Sequence, residues 1–371
     1  MGYLEELRNE IDNVDKELVE LFEKRMEIVL NVAKYKKENN IPILNNSREQ
    51  EVIKKNVNYL KNKNLQRYLT DFFIKLMDAS KEYQGEQINN KEQIYCTKQC
   101  KLKVGFQGTV GSFSEQALVE YFGEQVDVYP VNQFKDVFND LKNGKIHYGV
   151  LPIENSSTGA ITEVYDLLRE YGLYIVGSTC VKVDHNLLGV KGTKIEDIKE
   201  VYSHSQAFKQ SSGFLNKNNN WTLIPYYNTA ISAELIKNEN CKYKAAIGSK
   251  KASEVYGLDI IKANINNSNN NYTRFIIIGK NLEIKNDNDT ISIVISSPHK
   301  AGALYNSLRV FKENNLNMIR IESRPVIKRP WEYFFYIDFQ GNLDDNTVKE
   351  AINYIQSNSS YFKILGNYKN S

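Results

Sequence analysis

The 371-residue sequence predicts a multidomain protein: an all-α three-helix domain, then a two-lobed α/β domain, then an α+β domain of ferredoxin-like order. Three observations carry this. Residues 4 to about 38 contain neither Gly nor Pro and repeat apolar side chains at spacings of three and four. From Lys103, short apolar runs alternate with helical stretches. From Asp289 the pattern becomes strand, helix, strand, strand, helix, strand. At roughly 100–200 residues per domain, the length accommodates two or three domains.

In the first region, Leu4, Leu7, Ile11, Val14, Leu18, Leu21, Ile28 and Val32 mark one long helix with a coiled-coil-like seam. Pro42 and the Asn45-Asn46-Ser47 cluster end it. Ser47 is a candidate cap for a second helix through about Tyr59. A third helix fits Leu65 to about Gln84. Stepping by sevens from Leu4 through Ile11 and Leu18 reaches Arg25, where the seam asks for an aliphatic residue. Arg25 either snorkels to a helix edge or faces an anion. Lys36 lies about 20° around the helix and about 16 Å along it from Arg25, so both arms can close on one dianionic ligand. Arg8 is about 42 Å from Lys36 along the same helix. If all three cations serve one anion, Arg8 comes from a partner subunit. Residues 1–85 carry fifteen charges of each sign, so these cations are not part of a general basic coat.

The domain limits expected are 1–85, a polar linker over 86–101, 102–280 and 288–371. Strands are predicted at 103–106, 149–153, 174–181, 200–202, 223–226 and 245–248. The run Gly105-Phe106-Gln107-Gly108-Thr109-Val110-Gly111 follows a strand, and Asp127 lies at a distance suited to a ribose contact. However, the spacing is GxxGxxG, and Asp127 sits inside a strand pattern between Val126 and Val128. No nicotinamide cofactor is therefore expected. Three polar segments read better as helix N-termini that receive a small anion: Gly111 to Ala117, Leu151 to Gly159, and Ser203 to Gln206. They suggest a small-anion cleft between two lobes.

Composition excludes several classes. The hydrophobic fraction is 41% and the charged fraction 25%, as in ordinary globular proteins. A net charge of +3 is too balanced for coating nucleic acid or an anionic membrane. No apolar run approaches the roughly 20 residues of a membrane helix. The N-terminus has neither a basic nor an apolar signal segment. Four cysteines make no disulfide scaffold, and Cys96-x-x-x-Cys100 is not a zinc spacing, so a cytoplasmic protein without a metal is expected. Asn-rich runs at 216–220 and 264–271 read as solvated loops. His147, His185 and His299 are scattered and receive no role.

The residues Leu7-Arg8-Asn9-Glu10-Ile11-Asp12, Glu23-Lys24-Arg25, Lys34-Tyr35-Lys36, Arg48-Glu49 and Ser80-x-x-x-Gln84 resemble the all-helical class of chorismate mutase. Asn45 stands where that family often has Asp. The resemblance implies an intertwined homodimer or a higher homo-oligomer. It implies that Arg8 from the partner, Arg25 and Arg48 hold the substrate carboxylates. Lys36 and Gln84 would donate to the ether oxygen, and Glu49 and Ser80 would contact hydroxyl or carboxylate. Chorismate rearranges to prephenate without a nucleophile or proton transfer. Fixed donors that hold the folded conformer and stabilise charge on the ether oxygen suffice.

The motifs Gly111-Ser112-Phe113-Ser114-Glu115-Gln116-Ala117, Pro152-Ile153-Glu154-Asn155-Ser156-Ser157, Ser203-His204-x-Gln206 and Thr273-Arg274-Phe275 occur in the order found in prephenate dehydratase, which the stretch 103–280 resembles. The implied fold is two lobes similar to periplasmic solute-binding proteins. The implied reaction removes the ring hydroxyl and carboxylate of prephenate together, giving phenylpyruvate. Thr273 would donate toward the leaving hydroxyl. Arg274 either meets a carboxylate or braces its loop. His204 is either a substrate contact or a structural hydrogen-bonder. Glu154, Asn155, Ser156 and Gln206 would line the cleft.

Gly302-Ala303-Leu304 at a helix start and Glu322-Ser323-Arg324-Pro325 after a strand resemble the ACT domain of phenylalanine-regulated dehydratases, as does Trp331-x-Tyr333-Phe334-Phe335-Tyr336-x-Asp338. This implies phenylalanine bound at a dimer interface and feedback inhibition. Ala301 and Ile319 depart from that family's usual Pro and Thr. A buried Arg–Glu pair is also compatible with a purely structural role. Together the resemblances imply a bifunctional isomerase and lyase of phenylalanine biosynthesis, acting on chorismate and prephenate. Two other readings remain: a non-catalytic amino-acid-binding regulator, and a mutase fused to a prephenate dehydrogenase. The intact Thr273-Arg274-Phe275 run disfavours the first, and the glycine spacing disfavours the second.

Overall fold

The computed structural model describes residues 3–38, 46–70, 72–77, 79–80, 83, 101–298, 300–326 and 329–370, with backbone alone at 33–34, 36–38 and 46–50. The chain divides into two compact units, Met1–Cys100 and Lys101–Ser371. The expected linker, except Lys101, lies outside the described residues, as do Cys96, Cys100 and His299.

In the first unit, α1 runs without interruption over Tyr3–Glu38, about 54 Å. The absence of Gly and Pro permits this length. Helix α2 covers Asn46–Asn58, so Ser47 lies inside the helix and does not cap it. Asn62 caps a short 3₁₀ turn over Lys63–Leu65, and residues 66–70, 72–77 and 79–80 continue as helix. The seam of α1 is uncovered within the unit: Leu4, Ile11, Val14, Leu18, Leu21, Ile28 and Val32 are all exposed. Among the described residues, the buried side chains here are Met26, Met77 and Ser80. A helix of this length with an open apolar stripe is stabilised chiefly by burying the stripe against another element.

The second unit contains two lobes. In lobe 1, strands β1 (Lys103–Gln107), β2 (Asp127–Val131), β3 (Tyr148–Asn155), β5 (Tyr174–Lys182) and β11 (Tyr272–Gly279) lie in the order β5-β11-β3-β1-β2. The pairings β1–β2 and β1–β3 are parallel, and β11 is antiparallel to both neighbours. Helices α3 (Phe113–Phe122), α4 (Phe134–Lys142) and α5 (Thr162–Tyr171) accompany the sheet. The run Phe275-Ile276-Ile277-Ile278 is continuously apolar because both faces of the sheet are covered. Phe275 and Ile277 pack with Phe106 and Leu118, whereas Ile276 and Ile278 pack with Phe138, Leu151 and Leu168.

Lobe 2 is a five-stranded sheet, β10-β6-β9-β7-β8, built from β6 (Asn186–Gly189), β7 (Glu200–Ser203), β8 (Thr222–Pro225), β9 (Lys244–Gly248) and β10 (Asp259–Lys262). Its helices are α6 (Ser205–Gln210), α7 (Ser212–Leu215), α8 (Thr229–Glu239) and α9 (Lys250–Tyr256). The chain passes between the lobes twice, and the two passages are bonded to one another. Val183 N donates to Asn271 O at 2.8 Å, and Ile265 N donates to His185 O at 2.9 Å.

The glycine-rich run packs against lobe 2. Gly111 has φ +87°, and a Cβ there would meet Ala252 Cα of α9 at 3.1 Å. Ser249 Oγ donates to Gly111 O at 2.9 Å. The loop is therefore taken up by a contact between the two lobes. The predicted helix start at 151–159 is a correction. Residues 156–158 form a turn from β3 into β4 (Gly159–Ala160), and α5 begins only at Thr162. Asn155 Oδ1 accepts from Ser157 N at 3.0 Å and from Thr158 N at 3.2 Å. A side-chain acceptor that captures those N–H groups favours a turn over a helix.

Residues 290–368 form the predicted βαββαβ order: β12 (Thr290–Ser296), α10 (Ala303–Glu313), β13 (Met318–Pro325), β14 (Tyr333–Gln340), α11 (Asn346–Asn358) and β15 (Tyr361–Tyr368). The antiparallel order is β13-β14-β12-β15. Strand β13 extends through Pro325, so Glu322 to Pro325 lie within the strand instead of after it. Strand β15 then pairs in parallel with β5, with Gly366 opposite Ile175. A side chain at 366 would collide with the Ile175 backbone, so glycine is required there. One ten-stranded sheet thus runs through lobe 1 and this module. Val294, Tyr336, Leu365 and Tyr368 share the core of Phe138, Leu151 and Ile276.

Candidate active site

In the helical unit, Arg25 is half-buried and donates to Ser80 Oγ at 2.5 Å. The buried Ser80 hydroxyl donates in turn to Leu76 O, leaving its oxygen to accept from Arg25. Burial lowers the Arg25 pKa, but a guanidinium remains charged at physiological pH. Arg8 is exposed. Because α1 is continuous, the distance of about 42 Å between Arg8 and Lys36 stands. Gln84 and the side chains of Lys36, Arg48 and Glu49 lie outside the described residues.

In the second unit, Asn155 ends β3, and Thr273, the second residue of β11, lies directly opposite it. Asn155 Nδ2 donates to Thr273 Oγ1 at 2.9 Å and to Asn271 Oδ1 at 2.8 Å. Both Asn155 and Thr273 are 9% exposed. With its oxygen already accepting, the Thr273 hydroxyl retains its own hydrogen to donate. Ser156 is tied to the same strand: its N–H donates to Tyr272 O, its hydroxyl donates to Asn270 O, and Tyr272 N donates back to that hydroxyl at 2.9 Å.

The centre extends into lobe 2 through residues to which the sequence reading gave no role. Ser157 Oγ donates to Asn155 Oδ1 at 2.6 Å, and Gln210 Nε2 of α6 donates to Ser157 Oγ at 2.8 Å. Gln210 Oε1 lies 2.9 Å from His185 Nε2. A chain of polar contacts therefore joins the lobe junction at His185 to Thr273. The available signal was weak: Gln210 lies one helical turn beyond Gln206, and His185 follows a strand in a polar stretch. The Gln210 carbonyl oxygen sets the His185 tautomer with hydrogen on Nε2, leaving buried Nδ1 without a partner among the described residues.

Burial lowers the His185 pKa, with Gln210 and Asp184 opposing more weakly. The ring is neutral in the fold but takes a proton near pH 6.5 when unfolded. As pH falls through 6.5 the unfolded state gains a proton that the folded state refuses, so stability falls, by up to about 1.4 kcal/mol per pH unit. We expect the melting temperature of the second unit to drop between pH 7 and pH 5. His185→Gln should flatten that drop in a pH series of thermal melts.

The other predicted residues divide. His204 is the N-cap of α6, its Nδ1 accepting from Gln206 N at 3.2 Å, which is the structural alternative. Gln206 is half-buried on the same helix. Glu154 and Arg274 point to the opposite sheet face from Asn155 and Thr273, as strand alternation requires. Arg274 pairs with Asp338 at 2.5 Å and Glu154 with Arg320 at 3.3 Å, contacts in keeping with a bracing role for Arg274. At the first polar segment, Ser112 caps α3, and the buried Glu115 carboxylate accepts from Gly111 N. In the third module, Gly302 is the N-cap of α10 with φ +77°, followed by the half-buried Ala303 and Leu304. Arg324 forks onto Asp166 of α5 at 2.7 Å, while Glu322 is half-buried, and Ser323 and Pro325 are exposed. Among the described residues no cluster could hold a metal ion, and no helix is long and apolar enough to cross a membrane.

Two family models match the chain: chorismate mutase type II over residues 7–85 and prephenate dehydratase over residues 104–283. The bifunctional chorismate mutase/prephenate dehydratase of Buchnera aphidicola subsp. Acyrthosiphon pisum is 34% identical over 367 residues, covering 97% of this chain and 95% of that protein. The protein of that name from Escherichia coli K12 is 31% identical over 370 residues, covering 98% and 95%. A solved prephenate dehydratase from Arthrobacter aurescens, in complex with L-Phe, superposes with a TM-score of 0.67 at 27% identity, covering 72% of this chain and 90% of that one. The chain belongs to the bifunctional chorismate mutase/prephenate dehydratase family and catalyses both reactions, two steps of phenylalanine biosynthesis.

Proposed function

We propose that the two reactions occur at separate sites, one in residues 1–85 and one in residues 102–280, with an ACT-type sensor in residues 288–371. The observation that carries the dehydratase site is the buried Asn155–Thr273 hydrogen bond of 2.9 Å. Asn155 orients Thr273 so that its hydroxyl hydrogen is presented to the ring hydroxyl of prephenate. That hydroxyl departs as water while the ring carboxylate leaves as CO₂, and the electron pair released completes the aromatic ring. Aromatisation supplies the driving force, so the protein chiefly aligns the two leaving groups and donates one proton, which Thr273 regains from solvent water. Ser156, Gln206 and His204 border this site, and Arg274 and Glu154 support it from behind.

At the mutase site, Arg25, Arg48 and the partner's Arg8 hold the two carboxylates, and Glu49 and Ser80 complete the contacts. Lys36 and Gln84 donate to the ether oxygen as charge develops there. The open seam of α1 supports a homodimer or larger assembly. The cysteine content and the free Cys180 and Cys241 support a cytoplasmic protein.

For the sensor, the N-terminus of α10 at Gly302, Ala303 and Leu304 would meet the carboxylate of phenylalanine. Glu322, Ser323, Arg324 and Pro325 on β13 would complete the site. One assay tests the whole reading: chorismate supplied without cofactor should yield phenylpyruvate, and added Phe should slow it. Absence of phenylpyruvate overturns the two-site reading. No heat of Phe binding at millimolar concentration overturns the sensor. Inhibition requires that Phe bind one conformation more tightly than another.

A further inference from the structure

Four charged side chains form a square between lobe 1 and the C-terminal module. Glu154 and Arg274 face one another across β3 and β11. Arg320 and Asp338 face one another across β13 and β14. The cross-contacts are Arg274–Asp338 at 2.5 Å and Arg320–Glu154 at 3.3 Å. Asp338 and Arg274 side chains are 8% and 14% exposed. The other Asp338 oxygen accepts from Ser292 Oγ at 2.6 Å, and Ser292 is linked to the fully buried Tyr368 hydroxyl. The Arg320 guanidinium lies over the Tyr165 ring at 4.9 Å.

Each lobe 1 member of the square is the immediate chain neighbour of a residue at the dehydratase centre: Glu154 of Asn155, and Arg274 of Thr273. The backbone ladder does not fix these neighbours by itself. The β3–β11 register shifts between Arg274 and Phe275, where Phe275 faces Pro152 and Ile153 has no partner on β11. Ile153 O accepts instead from Ile161 N at 2.9 Å, and Pro152 has no N–H to give. Such bulges re-aim side chains beside active sites, and the aim must then be held from elsewhere.

We propose that Asp338 and Arg320 are positioning residues for dehydration: by clamping Arg274 and Glu154 across the bulge, they fix Thr273 against Asn155. The reaction site is therefore completed by the C-terminal module, although no residue of that module touches substrate. A carboxylate lost at 338 leaves Arg274 buried without its anion, and the strand end rotates to relieve it. An error of about 1 Å in a reacting group can cost about a hundredfold in rate.

This inference rests on the assignment of Thr273. The test uses the full chain with prephenate as substrate, comparing Asp338→Asn, Asp338→Glu, Arg320→Gln and Thr273→Ala. Asp338→Asn and Arg320→Gln should each lower dehydratase kcat about ten- to hundredfold, with KM within about threefold of wild type. Asp338→Glu should recover most of the rate, which a merely steric role would not allow. If Asp338→Asn does not fold, Arg320→Gln decides, since its partner Glu154 sits at the half-exposed rim. Folded variants with kcat within about twofold of wild type, or with the loss confined to KM, overturn the proposal. A Thr273→Ala enzyme of wild-type rate overturns the site assignment instead.

Discussion

Thr273→Ala should abolish phenylpyruvate formation while leaving the conversion of chorismate to prephenate at its wild-type rate. The substitution removes one hydroxyl from a buried strand end, where Asn155 Nδ2 would be left with Asn271 and the Tyr272 carbonyl as acceptors. The fold should therefore survive. The chemistry should not, because a positioned proton donor contributes about 10²–10⁴ in rate. The dehydratase loss should appear in kcat, with prephenate still binding, and Thr273→Ser should retain a measurable part of the rate. Prephenate should accumulate when the variant is given chorismate. If both activities fall together, the separation into two sites is wrong.

Lys36→Ala should leave almost no mutase activity, and Gln84→Ala a weak remainder. A charged donor at the ether oxygen stabilises developing negative charge more than a neutral amide does. Loss of one such donor costs about 10²–10³ in rate. Dehydratase activity on added prephenate should be unchanged in both, and wild-type mutase rates in both would remove these residues from the site. A sharper test uses the length of α1. Arg8→Ala and Lys36→Ala should each be inactive alone. If Arg8 acts from the partner, a mixed dimer of the two variants contains one intact site and one doubly defective site. Random pairing in a symmetric dimer then restores about a quarter of wild-type activity. No recovery in demonstrated mixed dimers would place Arg8 outside the partner's site.

The residues of the first unit show what periodicity can and cannot reveal. Arg25 stood out because a cation broke an apolar repeat, and its bond to Ser80 spans 55 residues of chain. The uncovered seam was legible for the same reason. In the second unit, several strands were legible as apolar runs, but β4, β6, β10 and β11 were not read; length does not explain this, since β7 and β8 are also four residues long and were read. The segment Leu151 to Gly159 read as a helix start because hydroxyls and amides favour caps and turns alike. Only the tertiary partners of Asn155 distinguish the two. Gln210 and His185 were invisible for a related reason: their contacts join lobes that are distant in sequence. Arg274 carried two readings, and strand alternation beside Thr273 resolves its direction. The square with Asp338 could not be read at all, since its members lie on four strands of two modules.

The pairing of Gly366 with Ile175 has a consequence for how this protein can be divided. Regulatory modules are often pictured as attachments that can be trimmed away to leave an unregulated enzyme. Here, removing β15 would uncover the β5 edge and open a core that Leu365 and Tyr368 help to fill. An unpaired apolar edge recruits other chains. A chain shortened before residue 288 should therefore aggregate rather than work without restraint. Deletion of the module would also remove part of the wall that supports the strands of lobe 1, because Val294, Tyr336, Leu365 and Tyr368 share their core.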